Sequence, residues 1–133
     1  SPKEVLDIFQ KEYVNISNPV TLKECHFKQE NGIEAEITIA IGDELKVYHG
    51  HGNGRLDAIS NAVMKHFDIK FSLVSYEEHA LQLGSNSQAC AYVGVEVEGI
   101  KGITWGAGIK DDIIDASAYA LMSSLNRTNC MKK

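Results

Sequence analysis

His49 and His51 stand two residues apart, close enough to share one strand face and offer a divalent metal two ligands. No spacing brings His79, Asp57 or Glu78 in as a third, so structural histidines are the expectation. The pair overlaps Gly50-His51-Gly52-Asn53-Gly54, a glycine-rich corner between a predicted strand and a predicted helix, which is where phosphate loops sit. A nucleotide-binding P-loop would close on Gly-Lys-Ser/Thr, whereas this corner closes on Gly54-Arg55-Leu56. The dinucleotide fingerprint belongs to a parallel crossover, and the strands here read as antiparallel. What these glycines do provide is close backbone approach and exposed N–H groups at a helix start, which suit a small carboxylate. The densest polar cluster, Tyr76-Glu77-Glu78-His79, places a phenol, acids and a base at a strand end and reads as the rim of a ligand site. No serine occupies a nucleophile elbow, and no local Cys–His pair marks a thiol nucleophile. Catalytic and metal-ligating residues are therefore not expected in this chain.

The elements that must position these groups come in a repeated order. Residues 34–67 read as an alternating strand, a Gly42-Asp43 turn, a second strand, a glycine corner and a helix opening near Asp57-Ala58. Residues 91–125 repeat the order, with Gly106-Ala107-Gly108 at the corner and Asp115-Ala116 in the helix. Such a repeat of incomplete units implies two halves sharing one core, with a pseudo-symmetric groove between them. Ahead of the first unit, Ser1-Pro2 and the apolar spacing of Val5, Leu6, Phe9 and Tyr13 predict a helix over 2–13. A strand over 20–29 then closes on Asn31-Gly32, a hairpin signal. In the next strand Ile33, Ala35, Ile37, Ile39 and Ile41 share the packed face, opposed by Glu34, Glu36 and Thr38. Leu45, Val47 and His49 are expected to continue that inward face, followed by a helix with Leu56, Ile59, Val63 and Phe67 buried. In the second unit Phe71, Leu73 and Ser75 oppose Ser72 and Tyr76, a polar loop covers 82–88, and Val93, Val95 and Val97 point inward. Ile103 and Trp105 are expected to face in on the last strand, and Ile114, Ala118, Leu121 and Leu125 line the closing helix. The predicted class is α+β: two pseudo-symmetric βββα units, antiparallel sheet with helices on one side, plus the N-terminal helix. The predicted division is a helix and linker over 1–18 and one domain over 19–133, with units near 19–67 and 68–127.

Bulk properties narrow the function class. A 133-residue chain with 44% hydrophobic and 23% charged residues matches one globular domain. The formal charge of −5, with basic residues scattered singly apart from Lys132-Lys133, argues against nucleic acid and anionic membrane as partners. The longest apolar run is far below a membrane span. Cys25, Cys90 and Cys130 are odd in number and form no Cys-x-x-Cys, so reduced thiols in a cytoplasmic protein are expected. A chain opening on Ser1-Pro2 is expected to be either processed or cut from a longer one.

Several motifs in order then carry a family resemblance. They are 50–58 (Gly-His-Gly-Asn-Gly-Arg-Leu-Asp-Ala), 76–81 (Tyr-Glu-Glu-His-Ala-Leu), 88–92 (Gln-Ala-Cys-Ala-Tyr) and 105–109 (Trp-Gly-Ala-Gly-Ile). Ala116-Ser117 and Leu125-Asn126-Arg127 complete the pattern. Together, over about 20–127, the chain resembles the C-terminal regulatory domain of 2-isopropylmalate synthase, an acyltransferase of leucine biosynthesis. The resemblance implies a pair of βββα units, a homodimer, and leucine bound as feedback inhibitor. It also implies that the condensation of acetyl-CoA with 2-oxoisovalerate, with its divalent metal, belongs to a separate TIM barrel of the parent chain. Carried over position by position, the implied effector site comprises Gly52, Gly54, Leu56, Asp57, Leu73, Tyr76, Ala80, Ser87, Ile109 and Asp111. Backbone N–H groups at two helix starts would receive the amino acid's carboxylate, and Asp57 or a carbonyl its ammonium. Arg55 stands where the family commonly has Pro, and Lys110 and Asp111 where it often has small residues or Pro. The rival readings are an isoleucine-binding regulatory domain of citramalate synthase and a ligand-free dimerisation scaffold, with Arg55, Lys110 and Asp111 crowding the corner. A small enzyme using Tyr76, Glu78 and His79 is a third.

Overall fold

The computed structural model describes residues 13–83, 86–128 and 131. The helix expected over 2–13 lies outside these residues except for Tyr13, as do Cys130 and Lys132-Lys133. The elements run β1 (Val20–Gln29), β2 (Ile33–Ile41), β3 (Glu44–Gly52), α1 (Arg55–Phe67), β4 (Phe71–Leu83), β5 (Asn86–Val97), β6 (Thr104–Lys110) and α2 (Ile113–Arg127). Two three-stranded antiparallel sheets result, ordered β1-β2-β3 and β4-β5-β6, so the α+β class and the two βββα units hold. Helix α1 packs on β3 and β2, and α2 packs on β6 and β5 and also rests against β1, joining the units. The shared core includes Ile37, Ile39, Ile59 and Val63 from the first unit and Val93, Val95, Leu121 and Leu125 from the second. The hairpin that the Asn-Gly signal predicts forms, as a three-residue connection, Glu30, Asn31 (φ 50°) and Gly32 (φ 106°), between the paired Gln29 and Ile33.

Strand parity departs from the sequence expectation in three places. The turn at Gly42-Asp43 pairs Ile41 with Glu44, which sets Ile37 opposite Tyr48 and Ala35 opposite Gly50. Residues directly opposite share a face, so Tyr48, Gly50 and Gly52 look toward α1. Leu45 (68% exposed), Val47 (51% exposed) and His49 face outward, contrary to expectation. In β6, Gly106 and Gly108 sit opposite Val93 and Ala91 and face α2. Trp105 and Ile103 therefore stand on the outer face, 43% and 48% exposed, where the Trp105 ring covers Gly94. In β4 a bulge between Leu73 and Ser75 brings Tyr76 opposite Val93. One extra residue reverses the alternation, so Tyr76 shares the helix-side face with Leu73 instead of opposing it. The polar loop expected over 82–88 is mostly strand, because β4 runs to Leu83 and β5 starts at Asn86.

The duplication extends to these details. The β1 bulge between Leu22 and Glu24 matches that in β4, and places Cys25 opposite Ile37 as the second places Tyr76 opposite Val93. A Cβ on Gly50 would meet Ala58 and Ala62, and one on Gly108 would meet Ala116 and Ala120. Both glycines allow a helix backbone to lie directly on its sheet.

Candidate effector site

The first turns of α1 and α2 and one stretch of β4 form a cleft of about 420 Å³ lined by Gly54, Arg55, Leu56, Asp57, Ile59, Tyr76, Glu78, Ile113, Ile114 and Ser117. Helix α1 starts there because Gly54 adopts an extended N-cap conformation (φ −141°, ψ 176°). That cap has no side-chain acceptor, so the orphan N–H groups of the first turn are left for a ligand or water. Asp57 reaches back and accepts from the Asn53 N–H at 2.9 Å, which fixes the entry of the chain into the helix. Gly52 stands behind this contact, where a Cβ would lie 2.4 Å from Asp57 Oδ2.

Helix α2 starts differently. Its N-cap Asp112 accepts from the N–H groups of Ile114 (2.7 Å) and Asp115 (3.2 Å). The Asp112 side chain already fills this helix start, whereas the Gly54 cap offers no side-chain acceptor, so the two starts are not equivalent.

Tyr76 forms a pillar across the cleft. Its hydroxyl lies 2.8 Å from Glu78 Oε2 and 2.6 Å from Ser117 Oγ, and Ser117 Oγ lies 2.8 Å from the Ile113 carbonyl. With Glu78 as a carboxylate, Tyr76 donates to it and Ser117 donates either to Tyr76 or to Ile113. The phenol is held above its ordinary pKa first by burial, then by the hydrogen bond and charge of Glu78, while the Ser117 bond works the other way. Tyr76 thus lines the cleft with its hydroxyl already engaged.

Of the expected site residues, Gly54, Leu56, Asp57 and Tyr76 line this cleft. Ala80, Ser87 and Asp111 line a neighbouring hollow of about 390 Å³ that shares Glu78 and Ile113 with it. Gly52 lies behind the wall, Leu73 is half-buried against the core, and the Ile109 N–H is taken by Asn15 Oδ1. Ile59, Ile113, Ile114 and Ser117 line the cleft without being among the expected site residues. Glu78 was legible in the polar cluster, and its position two residues from Tyr76 on one strand was the available signal. The two histidines weighed as metal ligands have separate partners instead: His49 Nε2 is 3.1 Å from Glu36, and His51 Nε2 is 2.8 Å from the Asn31 carbonyl. Among the described residues, no three His, Cys, Asp or Glu side chains come together to hold a metal.

Comparison with known proteins bears on what such a cleft serves. The family described as LeuA allosteric (dimerisation) domain matches residues 1–129. This chain belongs to that family. Among curated relatives, the LeuA-type chain is 45% identical over 126 residues to the 2-isopropylmalate synthase of Desulfitobacterium hafniense (strain Y51), covering 94% of this chain and 22% of that protein. It is 40% identical over 136 residues to the 2-isopropylmalate synthase of Helicobacter hepaticus (strain ATCC 51449 / 3B1), covering 96% and 24%. The chain thus spans about a quarter of the length of these relatives. Among the described residues, no helix is long and apolar enough to cross a membrane.

Proposed function

We propose that this LeuA-type domain is the regulatory part of a cytoplasmic 2-isopropylmalate synthase and that the cleft between the two helix starts binds leucine as a feedback inhibitor. The observation that carries this reading is the composition of the cleft. It combines an uncapped helix start at Gly54 with the apolar side chains of Leu56, Ile59, Ile113 and Ile114, the Tyr76 ring and the carboxyl group of Glu78. A free amino acid presents the complement: a carboxylate for the N–H groups, an aliphatic side chain for the wall, and an ammonium for Glu78 or Asp57. Burying that side chain contributes on the order of 1.5–3 kcal/mol, enough to select apolar over polar amino acids.

In this reading the acyl-transfer chemistry on acetyl-CoA and 2-oxoisovalerate, with its divalent metal, resides in a TIM barrel elsewhere in the parent homodimer. Membership of a family of allosteric (dimerisation) domains supports the division of labour. Inhibition then requires that leucine bind one arrangement of the dimer more tightly, typically by 1–3 kcal/mol.

Isothermal titration of the purified chain with leucine, isoleucine and valine tests the reading. Micromolar leucine binding is expected, with valine weaker by about tenfold or more, because one methylene in an apolar pocket is worth about 1–3 kcal/mol. Preference for isoleucine would transfer the domain to a citramalate-type regulator. Silence from all three by a folded chain would leave a ligand-free scaffold.

A further inference from the structure

Helix α2 lines the cleft with Ile113, Ile114 and Ser117, and further along the same helix Ser123 and Asn126 hold the segment that leads into β1. Ser123 Oγ donates to the Tyr13 carbonyl at 2.6 Å and lies 3.1 Å from the Ile16 N–H. Asn126 donates to the carbonyls of Ile16 (2.7 Å) and Val20 (2.8 Å) and accepts from the Val20 N–H at 3.1 Å. Asn15 is tied to β6 instead. Its N–H donates to the Ala107 carbonyl at 2.8 Å, and its side-chain amide brackets Ile109, accepting from that N–H at 3.0 Å and donating to its carbonyl at 3.1 Å. Asn15 adopts φ 52°, a conformation asparagine tolerates better than most residues, so that main chain and side chain both reach the open edge of β6. Ile109 lies three residues before Asp112, the N-cap of α2.

We infer that residues 13–20 are a strap by which occupancy of the cleft is transmitted to the chain upstream. This rests on the leucine-cleft reading and assigns its route of regulation. The strap and the cleft are held by one rigid element: Ser123 and Asn126 lie about 9 and 14 Å along the helix from Ser117, at 1.5 Å per residue. A ligand that shifts the first turn of α2 shifts these two side chains with it, because a packed helix moves as a body. The β6 corner carries the same displacement to Asn15 through Ile109. The equilibrium being biased is strap closed against strap open, and cleft and strap then stabilise one another reciprocally.

The test is amide hydrogen exchange of the full chain with and without saturating leucine, paired with leucine titration of Asn15→Ala and Ser123→Ala. Exchange at the Asn15 and Ile16 amides is expected to slow about tenfold on saturation. By reciprocity, leucine affinity in Asn15→Ala should fall by up to the same factor, with the strap amides exchanging faster. Ser123→Ala, which removes a smaller group from the opposite side of the strap, should change both quantities in the same direction. Protection confined to the cleft, with the strap amides unmoved, overturns the inference and leaves the leucine reading standing. So does a loosened strap in either variant with unchanged leucine affinity. Absence of leucine binding by the wild-type chain removes both together.

Discussion

Replacing Gly50 or Gly108 with alanine should destabilise the domain by about 2 kcal/mol each, and the two should behave alike. A Cβ on Gly50 would lie 2.3 Å from the Ala58 carbonyl oxygen and 2.4 Å from the Ala62 nitrogen. One on Gly108 would lie 2.1 Å from the Ala116 oxygen and 2.6 Å from the Ala120 nitrogen. All four obstacles are helix backbone, which cannot rotate aside, so the helix must lift from its sheet by roughly an ångström. A gap of that size forfeits a quarter to a half of each affected dispersion contact, and overpacking of this kind costs about 1–3 kcal/mol or more. Loss of glycine's freedom in the unfolded chain offsets about 0.4–1 kcal/mol. With a urea dependence of roughly 1–3 kcal/mol per molar, the midpoint should fall by about 1 M at constant slope. Val47→Ala and His49→Ala, on the outer face, should stay within about 0.5 kcal/mol of the parent. The reasoning is refuted if Gly50→Ala is neutral while His49→Ala is severe, because that ordering belongs to the inverted strand parity.

Tyr76→Ala removes the pillar of the cleft and should raise the leucine Kd more than tenfold, about 1.4 kcal/mol, with the fold retained by circular dichroism. Tyr76→Phe keeps the ring and should cost less; equal losses in the two variants would move the contribution from the ring to the hydroxyl. Asp112→Ala leaves the Ile114 and Asp115 N–H groups without their acceptor and should cost about 1 kcal/mol in urea unfolding, whereas Asp112→Asn should cost little. Burial, then the charge of Asp115, pushes the Cys25 thiol from 9.0 up to about 12. The neutral thiol is therefore favoured in the folded state, and its contribution is complete below pH 9 and lost as pH rises from about 9 toward 12. The urea midpoint should fall over that window, less steeply in Cys25→Ala, and a parallel fall in both would clear Cys25 of the effect.

Much of the architecture was legible because it rests on local rules. Period-two alternation in β2, the Asn31-Gly32 turn, helical spacing in α1 and α2 and the repeat itself each follow from a few adjacent residues. The motifs carrying the family resemblance are likewise local strings, which is why family membership could be expected before any contact was known. What failed was parity carried across a junction. Whether Leu45, Val47 and His49 face in depends on how Gly42-Asp43 pairs Ile41 with Glu44, and apolar residues fit either face of a short strand. Glycines at 50, 106 and 108 read as corners, yet their role is to admit helix backbone, and that is visible only once the helix is docked.

The cleft divides in the same way. The sequence by itself determined the parts: a glycine-terminated helix start at 54, a Tyr-x-Glu at 76–78, aliphatic residues at both helix openings, and a duplication implying that these would meet. Only the tertiary structure decided which ones meet. The bulge at Leu73/Ser75 turns Tyr76 toward Ser117, Asp112 caps the α2 start while the α1 start has no side-chain cap, and Asn15 closes on Ile109 across 94 residues of chain. These are non-local choices, in which one inserted residue, one capping side chain or one edge pairing alters the environment of groups far away in sequence. Periodicity carries no record of them because they depend on the docking of one unit against the other.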